Sequence, residues 1–171
     1  MNILRADIND IPDLVKLVNS AYRGQASKKG WTTEADLLDG IRTDDDSLEE
    51  MLGKPGATIL KFLNDNGDIA GSVYLQKQHE KLYLGMLTVS PEIQAKGIGK
   101  QLLKVSEDYA LNVGCSVVTM TVISVRKELI EWYERHGYRS TGKTEPFPND
   151  VRFGIPKQKL EFIVMEKELT H

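Results

Sequence analysis

The apolar residues of this chain recur at two spacings, and the change from one to the other divides it into elements. Ile11, Leu14, Val15 and Val18 return every three to four residues, the period of a helix face, with Asp10 placed to cap the helix and Pro12 suited to its first turn. Residues 2–7 precede it as a short first strand. Leu37, Leu38 and Ile41 share one face behind the short polar cap Thr33, which predicts a second helix. From Thr43 to Lys54 the chain is acidic and closes on Gly53-Lys54-Pro55-Gly56. This stretch reads as a link, with Asp44-Asp45-Asp46, Glu49 and Glu50 on a solvated loop and helix start.

Strand-like runs follow at Ala57 to Leu63, Ile69 to Gln76 and Lys81 to Val89, the first two joined by the turn sequence Asn64-Asp65-Asn66-Gly67-Asp68. They predict an antiparallel meander. Helical spacing returns with Leu102, Leu103, Val105, Tyr109, Ala110 and Val113, and Gly114 ends it. Ser116 to Ile123 is a β-branched run of the kind buried on both faces of a sheet. Ser124 is placed to cap a helix carrying Leu129, Ile130, Trp132 and Tyr133, which Gly137 closes. Tyr138 to Gly142 and Leu160 to Lys167 supply two last strands around a proline-rich loop from Pro146 to Pro156. The order predicts an α/β domain of the mixed α+β kind, without internal repeat.

Composition narrows this little but usefully. With 171 residues, 40% hydrophobic and 27% charged, the chain suits a single domain spanning residues 1–171. A formal net charge of -3 argues against binding nucleic acid through a broadly basic surface. Cys115 is the single cysteine, which excludes an internal disulfide and a cysteine-based zinc cluster and suits a reducing, cytoplasmic setting. It reads as a small buried residue rather than a nucleophile. No window is apolar enough to span a bilayer, and His79, His136 and His171 form no metal pattern.

The candidate chemistry lies in "VSPEIQAKGIGKQLL", residues 89–103, where a strand ends and a helix begins across Gly97 and Gly99. The first N–H groups of a helix have no partner inside it and carry partial positive charge, so an anion is stabilised there. Glycines let a phosphate approach the backbone, and Lys96 and Lys100 add charge. The same glycines would also serve a plain tight turn. The loop lacks the Gly-Lys-Ser/Thr ending of a nucleotide-triphosphate loop and the third glycine of a dinucleotide fold.

Two motifs taken together are more specific. Gln94-x-x-Gly97-x-Gly99 after the strand "LYLGMLTVSP", followed by strand, helix and "EWYERHGY" (residues 131–138), resembles the GNAT superfamily of acyl-CoA-dependent N-acyltransferases. The resemblance covers about residues 2 to 142 and is tightest over 82–138. It implies a mixed, mostly antiparallel sheet of about 6–7 strands flanked by about four helices, and acetyl-CoA as donor. Leu87, Thr88 and Val89 would pair with the pantetheine arm, Ala95, Lys96, Gly97, Ile98, Gly99 and Lys100 would cradle the pyrophosphate, and Gln94 would fix the loop. Tyr133 matches the family tyrosine that protonates the departing thiolate, and a phenol with an ordinary pKa of ~10 holds its proton at neutral pH.

Two positions depart from the family pattern. Arg126 stands where an asparagine often meets the cofactor, and is either a phosphate or adenine contact or a solvated helix residue. Thr121 stands where some relatives have a basic glutamate, leaving Glu34, Glu80, Glu145 or a water chain as base. By the same resemblance Tyr22, Arg23, Trp31, Glu34, Glu145, Phe147 and Arg152 are candidate liners of the acceptor site. The expected activity is direct acetyl transfer to a primary amine of a small molecule, by a monomer or homodimer without a metal. Acetylation of a protein lysine or N-terminus, and a non-catalytic acyl-CoA-binding role, are the alternatives.

Overall fold

The computed structural model describes residues 2–22, 38–39, 42–92, 97–146, 155–156 and 160–170, the pairs 38–39 and 155–156 by backbone alone. Its centre is a seven-stranded sheet. In chain order the strands are β1 (Ile3–Arg5), β3 (Ala57–Leu63), β4 (Ile69–Gln78), β5 (Lys81–Val89), β6 (Val117–Ile123), β7 (Arg139–Pro146) and β9 (Glu161–Glu168), and they lie side by side as β1-β3-β4-β5-β6-β9-β7. Among the described strand pairs only β5–β6 is parallel. Helices α1 (Ile11–Tyr22), α2 (Asp45–Leu52), α3 (Ile98–Asn112) and α4 (Lys127–Arg135) flank it. The predicted meander is present as β3-β4-β5.

Alternation along the strands divides the core in two. Leu75, Leu82, Leu84, Val118, Met120 and Met165 pack with Leu102, Leu103 and Ala110 of α3 and with Tyr133 of α4. On the other face Ile59, Tyr74 and Met86 pack with Ile11, Leu14 and Val18 of α1 and Leu48 of α2. β3, β4 and β5 thus feed both layers, as period-two side chains allow. β6 alternates buried and half-buried positions rather than being buried on both faces.

Several local expectations are corrected. The acidic stretch taken for a link contains helix α2, capped by Asp44, whose side chain accepts from the Ser47 N–H at 2.8 Å. Asp45 and Asp46 lie in its first turn, where negative charge is favoured, and Leu48 anchors it in the core. Leu38 and Asp39, expected on a helix, form a short extended strand, β2, paired with Ile155–Pro156, β8. Residues 23–37, 40 and 41 lie outside the described residues. At the first helix the cap is Asp7, which opens a single 3-10 turn (Ile8–Asp10). Asp10 returns the bond by accepting from the Asp7 N–H at 2.9 Å. The cap position of α4 falls on Arg126 rather than Ser124, because Ser124 N–H is still bonded across to Glu161 O at 2.9 Å. β7 runs longer than expected and takes in Pro146, whereas β9 keeps the expected length one residue further along.

Candidate active site

β5 carries a break in its own pattern. Ser72 pairs with Thr88 but Tyr74 pairs with Gly85, so Met86 and Leu87 stand opposite Val73 alone, which is a β-bulge. Met86 has φ 49, a left-handed conformation uncommon outside glycine. The extra residue reverses the alternation: Leu82 and Leu84 face α3, whereas Met86 faces α1 and α2. Two side chains hold the bulge. Tyr22 Oη donates to Leu87 O at 2.6 Å, and Thr88 Oγ1 donates to Met86 O at 2.8 Å.

Beside the bulge the sheet opens. β5 and β6 pair at Lys81↔Val117, Leu82↔Val118 and Tyr83↔Thr119, and there the ladder ends, although β5 continues to Val89 and β6 to Ile123. Leu87, Thr88 and Val89 all lie on this unladdered part. An extended ligand bearing amides fits such an edge, since strand backbone needs hydrogen-bond partners.

α3 starts at the end of β5. Its cap is Gly97 at φ 72, and no side chain caps it. Among the described residues a Cβ on Gly97 would meet nothing within 4 Å beyond its chain neighbours, so φ rather than packing demands glycine there. A Cβ on Gly99 would sit 3.6 Å from Trp132 and 3.7 Å from Val89, ordinary contact distances. The helix lies tight on the sheet, because a Cβ on Gly71 would come within 3.1 Å of Ile98 Cγ2 and Leu102 Cδ1. Ile98 is buried in the core and can offer only its backbone to a ligand, whereas Lys100 is exposed. Gln94, Ala95 and Lys96 lie outside the described residues.

Tyr133 is 5% exposed, with Trp132 edge-on at 5.2 Å and Tyr138 at 5.8 Å between ring centres. Burial pushes its phenol well above the ordinary pKa of 10.0; Tyr22 and Tyr83 add to the rise and Arg126 opposes it. The group therefore keeps its proton at neutral pH and can donate it. Arg126 is 3% exposed, which removes the solvated reading. Its guanidinium lies 5.9 Å from the centre of the Tyr22 ring, on which Arg42 also stacks at 5.5 Å. Its Nε is 3.7 Å from Glu128 Oε1.

A family model described as the Acetyltransferase (GNAT) family matches residues 14–138. The chain belongs to that family. Over 73 residues it is 29% identical to the thialysine N-epsilon-acetyltransferase of Sus scrofa, a match covering 43% of each chain. The chain spans about half or less of the length of the curated relatives it matches. In fold it is similar to the ribosomal-protein-S18-alanine N-acetyltransferase of Escherichia coli, with TM-score 0.73 and 15% identity over 99% of this chain and 94% of that one. It is also similar to a Bacillus anthracis str. Ames structure in complex with acetyl coenzyme A, with TM-score 0.58 and 18% identity over 71% and 68% of the two chains.

Against the GNAT expectation, the sheet brings together Tyr22, Leu87, Arg126 and Tyr133 but disperses two of the acids named as bases. Glu80 precedes β5 and Leu87 lies near its other end, so about seven residues at ~3.3 Å each separate them. Glu145 is exposed on the outermost strand β7, with β9 and β6 between it and β5. Neither is placed to take a proton at the bulge. Arg23, Trp31, Glu34, Phe147 and Arg152 lie outside the described residues. Sequence reasoning missed the bulge, the Thr88 hydroxyl that braces it and Arg42 on Tyr22. Gly85, a glycine inside a strand, was the available signal for the bulge. Among the described residues no helix is long and apolar enough to cross a membrane, and no group of three or more His, Cys, Asp or Glu could hold a metal ion.

Proposed function

We propose that this chain, read as one domain over residues 1–171, is an N-acetyltransferase that moves the acetyl group of acetyl-CoA directly to a primary amine of a small molecule. The observation that carries the reading is the parting of β5 from β6 after Tyr83↔Thr119, with the open N-terminus of α3 at its mouth and Tyr133 buried beside it. Acetyl-CoA supplies an acyl group activated as a thioester. The backbone of Leu87, Thr88 and Val89 pairs with its amide-bearing arm. The N–H groups of Gly97, Ile98, Gly99 and Lys100 receive the pyrophosphate together with the Lys100 ammonium, and Gln94, Ala95 and Lys96 complete that loop. Tyr133 holds a proton on its Oη and passes it to the departing sulfur. With Glu80 and Glu145 too distant, water relays the proton away from the attacking amine. Tyr22 lines the acceptor side with Arg23, Trp31 and Glu34, and the chain's net charge of -3 favours a cationic amine.

The test is calorimetry with acetyl-CoA, followed by CoA release across a panel of small amines and lysine- or N-terminal peptides. Absence of acetyl-CoA binding would end the proposal, and turnover confined to peptides would overturn the small-molecule acceptor. Tyr133→Phe is expected to lower kcat by about 10²–10⁴-fold with acetyl-CoA affinity unchanged. Full kcat in that variant would remove the role given to the phenol.

A further inference from the structure

Arg42 carries a guanidinium that is held in place from two directions. It is half-buried with its Cζ 5.5 Å from the centre of the Tyr22 ring, and the hydroxyl of that ring donates to the bulge carbonyl Leu87 O at 2.6 Å. One tyrosine side chain therefore links the guanidinium to the bulge. The backbone behind the guanidinium is fixed as well. Asn19 lies three residues before Tyr22 on α1, so the two are neighbours on the helix surface. Its Oδ1 accepts from the Arg42 N–H at 2.7 Å and from the Thr43 N–H at 3.0 Å, and its Nδ2 donates to Thr43 O at 2.9 Å. Thr43 itself is 3% exposed. Helix α1 thus anchors both the ring and the stretch of chain that lays the guanidinium on it.

This guanidinium has a ring but no counter-ion. Among the described residues no carboxylate pairs with it. The nearby acids are engaged or turned outward: the Asp44 carboxylate accepts from the Ser47 N–H as the cap of α2, and Asp45 and Asp46 are exposed. Arginine presents its donors as a planar fork that matches the two oxygens of a carboxylate, and stacking on an aromatic face leaves the edges of that fork free. Arg126 adds a second guanidinium over the same ring at 5.9 Å, with Glu128 Oε1 3.7 Å from its Nε. The side chains gathered on Tyr22 therefore favour an anion. The pyrophosphate seat proposed at the start of α3 is not the place from which it would come. Ile98 of α3 packs in the core layer that holds Tyr133, whereas Tyr22 packs in the layer of α1 and α2 on the other face of the sheet.

We propose that Arg42 receives a carboxylate of the acceptor, so that the acceptor is a small amine that also bears an acid group, the amino-acid class. The inference rests on the acetyltransferase reading and names the acceptor of that same site. The scale fits, because the link between guanidinium and bulge is a single side chain, and one small molecule can lay its carboxylate on the fork and its amine beside the unladdered part of β5. Because the Asn19 bonds fix the Arg42 backbone in advance, less freedom is lost when the fork takes its ligand. The acid is recognised at Arg42 and the amine remains free to meet the thioester.

The test compares the common amino acids, each beside its own primary amide, which keeps the amine and removes the negative charge. Ligand-observed NMR on the intact chain without donor measures binding, and CoA release with acetyl-CoA measures turnover, with rates compared per unprotonated amine. For the preferred acceptor, the acid should bind about 10–100-fold tighter than its amide and show a kcat/KM higher by a similar factor. Arg42→Met should remove that preference through KM for the acceptor, with the KM for acetyl-CoA as in the parent. Arg42→Gln serves the same purpose should the Met variant not fold, and the comparison of acid with amide in the parent needs no variant. A parent that treats acid and amide alike overturns the inference, as does a folded Met or Gln variant that keeps the preference, or a loss confined to the KM for acetyl-CoA. A parent that binds the acid selectively but releases no CoA with any amine sinks the acetyltransferase reading and leaves the carboxylate site standing.

Discussion

The two glycines at the start of α3 answer to different demands, and substituting each by alanine separates them. Gly97 has φ 72, so a Cβ there is strained by about 1–2 kcal/mol. For a chain of this length that corresponds to a fall in Tm of roughly 2–8 °C. Among the described residues the same Cβ meets nothing within 4 Å beyond its chain neighbours, so their packing adds nothing to the loss. Gly99 is inside the first turn, where alanine gains about 0.5–1 kcal/mol of helix preference and its Cβ makes ordinary contacts with Trp132 at 3.6 Å and Val89 at 3.7 Å. Gly97→Ala should therefore melt lower and bind acetyl-CoA at least tenfold more weakly, because its methyl group stands in the space assigned to phosphate. Gly99→Ala should melt slightly higher and bind as the parent does, whereas Gly99→Glu adds bulk and negative charge and should not bind. Thermal melts and calorimetry read both quantities from the same samples. Parent-like affinity in a folded Gly97→Ala chain would refute the assignment of the open space to the donor.

Three further outcomes follow from the packing. Tyr22→Phe keeps the ring under Arg42 and Arg126 but removes the 2.6 Å bond to Leu87 O, and should cost about 1 kcal/mol in thermal melts and slow acetyl transfer by loosening the bulge. Leu48→Ala should destabilise by about 2–5 kcal/mol in urea titration, since that side chain is the buried anchor of α2. Burial alone would raise the Asp10 carboxyl, but the Lys61 ammonium at 2.8 Å and the Asp7 N–H hold it below its ordinary 3.8. A depressed carboxylate stabilises the fold above its unfolded pKa and loses that contribution as pH falls through its folded value. Lys61→Met should thus be less stable by up to about 1 kcal/mol at pH 7, and the gap should close below about pH 4. A gap that persists at pH 2 would contradict the pairing.

What the sequence discloses depends on whether the deciding interaction is local. The β3-β4-β5 meander and α3 are legible because the Asn64–Asp68 turn, the strand runs and the helical stripe ending at Gly114 are each complete within their own segment. α2 is not, because its eight residues carry charge on most faces and its apolar contact with the core is only Leu48 with the half-buried Met51 and Leu52; the acidic residues that suggest a loop are there because the helix start favours them. The candidate site divides the same way. Tyr133 and the Gly97–Gly99 turn are marked by short motifs, but Glu80 and Glu145 looked suitable as bases only while the fold was unknown: the length of β5 separates Glu80 from the bulge, and the order β5-β6-β9-β7 separates Glu145 from it.

Arg126 is the sharper case. In a sequence, an arginine just ahead of a helix reads equally as a ligand contact or as a solvated residue, because nothing local gives it a reason to be buried. The reason is tertiary: β5 leaves β6 beyond Tyr83, Tyr22 closes over the gap from α1, and the start of α4 is drawn into the enclosure so formed. A residue that violates its local preference in this way carries a penalty in the free chain. Part of what offsets it lies in the resting fold, where the Tyr22 ring of α1 packs on the guanidinium at 5.9 Å and Glu128 reaches its Nε at 3.7 Å.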